Sequence, residues 1–125
     1  MESRESNFFV IDSSIFVAFY HGGDSLHNDA VNIMRALDAK TLVIHPYVIQ
    51  ETATVLAYKF GHTQAKKFLE DISTSAHVII PPVDITADIT NFSHANRKMS
   101  FTDITLMSLA KRMGAKLVTF DSQML

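Results

Sequence analysis

The sequence predicts an α/β domain: a parallel sheet with helices on both faces. Three observations carry this. Short strand-like runs recur along the chain, at Phe8-Phe9-Val10-Ile11, Leu42-Val43-Ile44, Val78-Ile79-Ile80 and Lys116-Leu117-Val118-Thr119-Phe120. Between them lie stretches whose apolar residues follow helical spacing, and such alternation implies a parallel sheet built by helical crossovers. The first and last runs each stop at an aspartate, Asp12 and Asp121. Both acids then fall at the C-terminal edge of the sheet, where parallel α/β folds bind ligands.

The first run has four apolar residues in succession, as expected of a strand buried on both faces. Asp12-Ser13-Ser14 can cap a helix over Ser13 to Tyr20, and His21-Gly22-Gly23-Asp24-Ser25 reads as a turn. Leu26, Ala30, Val31, Ile33, Met34 and Leu37 mark a second helix. After the strand Leu42 to Ile44, Pro46 suits the first position of a helix running to about Phe60, with Gly61 just past its end. Ala65, Phe68, Leu69 and Ile72 form the stripe of a helix from about Thr63 to Ile72. The strand Val78 to Ile80 is closed by Pro81-Pro82, and Thr86 to Ala95 is expected to be helical. Ser100 opens the helix with the clearest boundaries. Asp103 stands at capping-box spacing, Lys111 and Arg112 lie in its last turn, and Gly114 follows. If strand one is central, between strands two and four, the strand order reverses between one and four, and Asp12 and Asp121 flank that crevice.

With 125 residues the chain suffices for one domain, 1–125, with a real core, and is too short for two. The net charge of −2 provides no global field to recruit nucleic acid. A polyanionic partner therefore needs a local basic patch, a metal, or both. No cysteine is present, which excludes disulfides, thiolate zinc sites and a cysteine nucleophile. No apolar stretch approaches the ~18 residues of a membrane span, and Met1 to Glu5 has no signal-peptide pattern. A cytoplasmic protein without membrane attachment is expected.

Two further acids could reach the same edge: Glu51, in the second turn of the third helix, and Asp103. Each of the four has an ordinary explanation. Asp12 can cap a helix, Asp121 can close a turn, Asp103 can complete the capping box with Ser100, and Glu51 can be a solvated residue at the edge of an apolar stripe. Their joint placement carries more information. Paired carboxylates at ~4 Å repel by about 4 kcal/mol in a partly screened setting. No Lys or Arg adjoins Asp12, Glu51 or Asp121 in sequence. Such a cluster protonates or holds a cation. All-oxygen ligands select a hard ion, Mg²⁺ or Mn²⁺, and a hard ion in an open site implies phosphodiester hydrolysis. Crowding alone also predicts that Asp12→Asn raises thermal stability without metal.

Val10-Ile11-Asp12-Ser13-Ser14, the helix-borne Glu51, Ser100-Phe101-Thr102-Asp103, and Gly114 through Asp121 resemble, in this order, the motifs of the PIN-domain ribonucleases, especially the VapC-like toxins of toxin–antitoxin pairs. The resemblance spans nearly the whole chain. It implies a three-layer sandwich with a central parallel sheet of four to five strands. It implies that Asp12, Glu51, Asp103 and Asp121 surround one or two Mg²⁺ or Mn²⁺ ions and that RNA is cleaved endonucleolytically. It further implies that Ser13, Ser14 and Thr119 support the acids, that the chain forms a homodimer, and that an antitoxin protein silences it. Ser14 stands where many members carry Asn. The sequence ends four residues after Asp121, where members usually add another strand and a tail.

For RNA contact, Arg97 and Lys98 are favoured by position, ahead of Lys59, Lys66 and Lys67. The six histidines show no zinc spacing and read mostly as surface or helix-end residues. Phe8, Phe9, Phe16, Phe68, Phe101 and Phe120 read as core. Two competing functions are a phosphoacceptor receiver domain and a catalytically silent PIN-like scaffold. A receiver needs an acceptor aspartate at the end of its third strand, where this chain has Pro81-Pro82.

Overall fold

The computed structural model describes residues 7–125. Strands β1 (Phe8–Ile11), β2 (Thr41–Val43), β3 (Val78–Ile79) and β4 (Lys116–Val118) form one sheet in the order β3-β2-β1-β4. All pairings are parallel, with Val10 level with Val43 on one side and Leu117 on the other. β1 is therefore interior, and Val10 and Ile11, which point to opposite faces, are both fully buried. The strand order reverses between β1 and β4, as expected from the sequence.

Six helices flank the sheet in a three-layer arrangement: α1 (Ser13–Tyr20), α2 (His27–Ala36), α3 (Pro46–Phe60), α4 (His62–Thr74), α5 (Ile85–Ser93) and α6 (Phe101–Met113). α1 packs on α2, α3 and α4, whereas α5 packs on α6, which lies against β1 and β4. The core joins sheet residues Val10, Ile11, Val43 and Ile44 to helix residues such as Ile15, Val48, Leu56, Phe68 and Leu106, all fully buried.

The expected helix boundaries hold where a cap defines them. Ser100 Oγ accepts the Asp103 N–H at 3.0 Å. Gly114 takes a left-handed φ of 63° that lets the Ala115 N–H reach the Ala110 carbonyl at 2.8 Å. Pro46 takes the first position of α3, capped by His45. Several boundaries move: β2 runs Thr41–Val43, β4 ends at Val118 rather than Phe120, and α4 runs His62–Thr74. α5 begins at Ile85 because Asp84, not Thr86, provides the cap, accepting from the Ala87 N–H. β3 ends at Ile79, and the Pro81-Pro82 that follows has no N–H to offer a ladder. His45 caps a helix, as a helix-end histidine should, yet is only 3% exposed. Of the phenylalanines read as core, Phe16 and Phe68 are buried, but Phe8 at the outer end of β1 is 38% exposed. Among the described residues no helix is long and apolar enough to cross a membrane.

Candidate active site

The site begins where β1 becomes α1. The Asp12 N–H still bonds the Val118 carbonyl of β4, at 3.0 Å, so the residue is held by the sheet. Its side chain then caps α1, with Oδ1 accepting the Ser13 N–H at 2.8 Å. Oδ2 accepts two hydroxyls, from Ser14 and from Thr119, both at 2.8 Å. Asp12 is 6% exposed, and a buried carboxylate needs such donors.

The two hydroxyls also tie down the chain leaving β4. Ser14 Oγ accepts the Phe120 N–H at 3.2 Å, and Thr119 Oγ1 accepts the Asp121 N–H at 3.0 Å. Each relays between a backbone donor after β4 and the Asp12 carboxylate. This orients the segment bearing Asp121, whose Oδ1 caps the final turn by accepting the Gln123 N–H at 2.9 Å. Ser14, which replaces the family's usual Asn, thus makes its own contact with the acid.

Glu51 approaches from α3. Its Oε1 accepts the Ser13 hydroxyl at 2.9 Å, so it is linked to the Asp12 segment through one side chain. Asp103 enters from the first turn of α6 and is half-buried. Burial is the largest influence on its carboxyl and raises its pKa above the usual 3.8. The negative charges of Asp12 and Asp121 push the same way, while hydrogen bonds with Ser100 oppose them. Asp12 and Asp121 are thus both electrostatic neighbours of Asp103.

Glu51 reaches the Asp12 segment through Ser13, and Asp103 meets Asp12 and Asp121 through charge. Among the described residues, no group of three or more acidic or histidine side chains is placed to hold a metal ion. The hydroxyls of Ser13, Ser14 and Thr119 instead donate hydrogen bonds to Glu51 and Asp12. The donor chemistry nonetheless suits a hard divalent ion: oxygen only, with Asp103 destabilised as an anion by its neighbours.

The two basic candidates are placed differently from each other. Arg97 donates through its guanidinium to the Gln123 carbonyl and so tethers the end of the chain. Lys98 is exposed. Sequence reasoning missed Tyr47 and Asp88. Tyr47, in the first turn of α3, packs on His45 and Phe101, and its hydroxyl donates to buried Asp88 at 2.7 Å. Burial, followed by the Asp88 carboxylate, pushes that hydroxyl up to about 12. No local pattern signals this pair, because Tyr47 and Asp88 lie 41 positions apart.

Comparison with known proteins agrees with this architecture. The PIN domain family model matches residues 9–125, and the chain belongs to the PIN-domain family. Within it the chain is VapC-like. It is 30% identical over 122 residues to a VapC ribonuclease of Archaeoglobus fulgidus, covering 91% of this chain and 77% of that protein. The crystal structure of Mycobacterium tuberculosis VapC20, a sarcin-ricin loop cleaving toxin, superposes with a TM-score of 0.78 at 24% identity. That match covers 93% of this chain and 92% of the other and supports the shared fold.

Proposed function

We propose that this chain is a Mg²⁺- or Mn²⁺-dependent endoribonuclease, the toxin of a toxin–antitoxin pair acting in the cytoplasm. The reading is carried by one observation: Asp12, held by the Ser13 N–H and the Ser14 and Thr119 hydroxyls, lies with Asp121 close enough to Asp103 for both charges to act on its carboxyl. Membership of the PIN-domain family and the VapC ribonuclease relative support the same chemistry. Asp12, Asp103 and Asp121, with Glu51, would hold the ion. When bound, a divalent ion provides the Lewis acidity that phosphodiester hydrolysis requires. Ser14 and Thr119 keep the Asp12 carboxylate oriented, and Ser13 holds Glu51 toward the same edge. Lys98 is left to meet the RNA backbone, with Arg97 in the weaker role of bracing the terminal turn.

The test is cleavage of single-stranded RNA with Mg²⁺, comparing wild type with Asp12→Asn and Asp103→Asn. Cleavage by wild type alone is expected. Equal activity in all three would overturn the mechanism, and no cleavage by wild type would leave the silent-scaffold reading. No observation favours the receiver alternative.

An antitoxin protein is the expected silencing partner, and a homodimer the expected assembly. The apolar face of α5 suits a second copy: Ile85, Ile89 and Phe92, at successive helical turns, are 51%, 54% and 43% exposed. Sedimentation of the wild type as a dimer, and of Ile89→Lys as a monomer, is the expected result.

A further inference from the structure

A groove of about 630 Å³ runs between α3 and α4, away from the acids. Small side chains, Ala53, Ala57 and Ala65, line it together with Tyr58, His62 and Lys66. Its local origin is the turn at Gly61, whose φ of 98° reverses the chain between the two helices and brings His62 and Lys66 beside Tyr58.

Tyr58 is the most exposed large apolar side chain among the described residues, at 88%. Its neighbour Phe60 is by contrast covered by the His21 ring, stacked at 3.6 Å. An aromatic ring left in water beside a cation, here Lys66, is the form a base-stacking platform takes. Its position on the helix adds direction. Seven residues separate Glu51 from Tyr58, which at about 100° per residue places both on one stripe, roughly 10 Å apart. Tyr58 therefore lies on the stripe of α3 that carries Glu51.

Charge points the same way. The molecule is net negative and its sheet edge is acidic, so RNA must be held by local cations. Arg97 is engaged by the Gln123 carbonyl, and Lys67 is paired with Asp71 at 2.7 Å. Lys66, the adjacent residue, lines the groove instead.

We propose that the α3–α4 groove is a second subsite for single-stranded RNA, in which Tyr58 stacks on a base and Lys66 contacts a phosphate of nucleotides adjoining those at the acid edge. The proposal rests on the nuclease reading above for the direction of the strand.

The test uses the full chain and a fluorescent, mixed-sequence single-stranded RNA of on the order of 10 nucleotides, with chelator present so that binding is separated from cleavage. Tyr58→Ala is expected to weaken binding by roughly 5- to 100-fold, the range that loss of one stacked base implies, while Tyr58→Phe binds as wild type. Lys66→Ala is expected to weaken binding and lower the slope of log affinity against log salt by about 1, and Lys66→Arg to restore it. Both side chains are exposed, and unchanged thermal melts show that the variants are folded. Wild-type affinity in Tyr58→Ala and Lys66→Ala overturns the proposal. So does unchanged RNA binding combined with an altered oligomeric state, which would assign the groove to a protein. Loss of binding in Tyr58→Ala, in a wild type that never cleaves RNA, would uphold this subsite while removing the nuclease reading.

Discussion

Thr119 Oγ1 donates to Asp12 Oδ2 at 2.8 Å across 107 positions of sequence, and the same oxygen accepts the Asp121 N–H at 3.0 Å. One hydroxyl thus links two of the acids. Thr119→Val keeps the shape and removes both bonds, leaving a buried carboxylate short of a donor and a backbone N–H short of an acceptor. Hydrogen bonds to charged groups are worth about 1.5–3 kcal/mol, and a loss of that order is expected in urea unfolding. Thr119→Ser should recover most of it. An unchanged midpoint in Thr119→Val would show that water replaces the hydroxyl without cost.

The donors around Asp12 reverse what charge crowding alone predicts there. In Asp12→Asn, the amide nitrogen either faces the hydroxyl hydrogens of Ser14 and Thr119 or displaces the Ser13 N–H contact. The variant is therefore expected to melt lower than wild type in chelator. A higher melting temperature would restore the crowding argument.

The stabilising substitution moves to Asp103. Its folded pKa is raised, chiefly by burial, so above that pKa the ionised side chain costs stability that the unfolded chain does not lose. The cost is fully present near neutral pH and vanishes as the acid becomes protonated in both states, below about pH 4. Asp103→Asn should raise the melting temperature in chelator at neutral pH, with the gain shrinking toward acid. A gain independent of pH would assign it to something other than this carboxyl.

His45 titrates with the opposite consequence. Burial, reinforced by Arg112 and opposed by Asp88, lowers its pKa, so the unfolded chain takes up the proton first. Its contribution is complete above the unfolded value of about 6.5 and is lost as pH falls through the folded one. Asn can accept the Tyr47 N–H in the same capping role without titrating. His45→Asn should therefore flatten the fall in stability between about pH 7 and pH 5. An equally steep profile in the variant would place that proton uptake elsewhere.

Thr52 is fully buried in α3, and its hydroxyl has no hydrogen-bond partner among the described residues. Thr52→Val removes the unpaired polar atom at nearly constant volume. A gain of about 1 kcal/mol in chemical denaturation is expected. A loss would indicate a bond formed by that hydroxyl in solution.

The local chemistry of the chain determines the elements. Four apolar residues before Asp12 form a strand buried on both faces at Val10 and Ile11, and Ser100 and Gly114 bound α6 because a side-chain acceptor and a left-handed residue meet the unpaired groups at helix ends. That Asp12 and Asp121 lie past the C-terminal ends of neighbouring parallel strands is legible in the sequence, Asp12 directly after β1 and Asp121 three residues after β4. The partners of those acids do not follow. Which hydroxyl reaches Asp12, why Arg97 turns to Gln123 while Lys66 stays in a groove, and how Tyr58 remains in water beside a covered Phe60 depend on side chains brought together by packing. Periodicity and capping act over a few residues, so they dictate the strands and helices. A hydrogen bond between Thr119 and Asp12 is decided only when the sheet lays β4 beside β1.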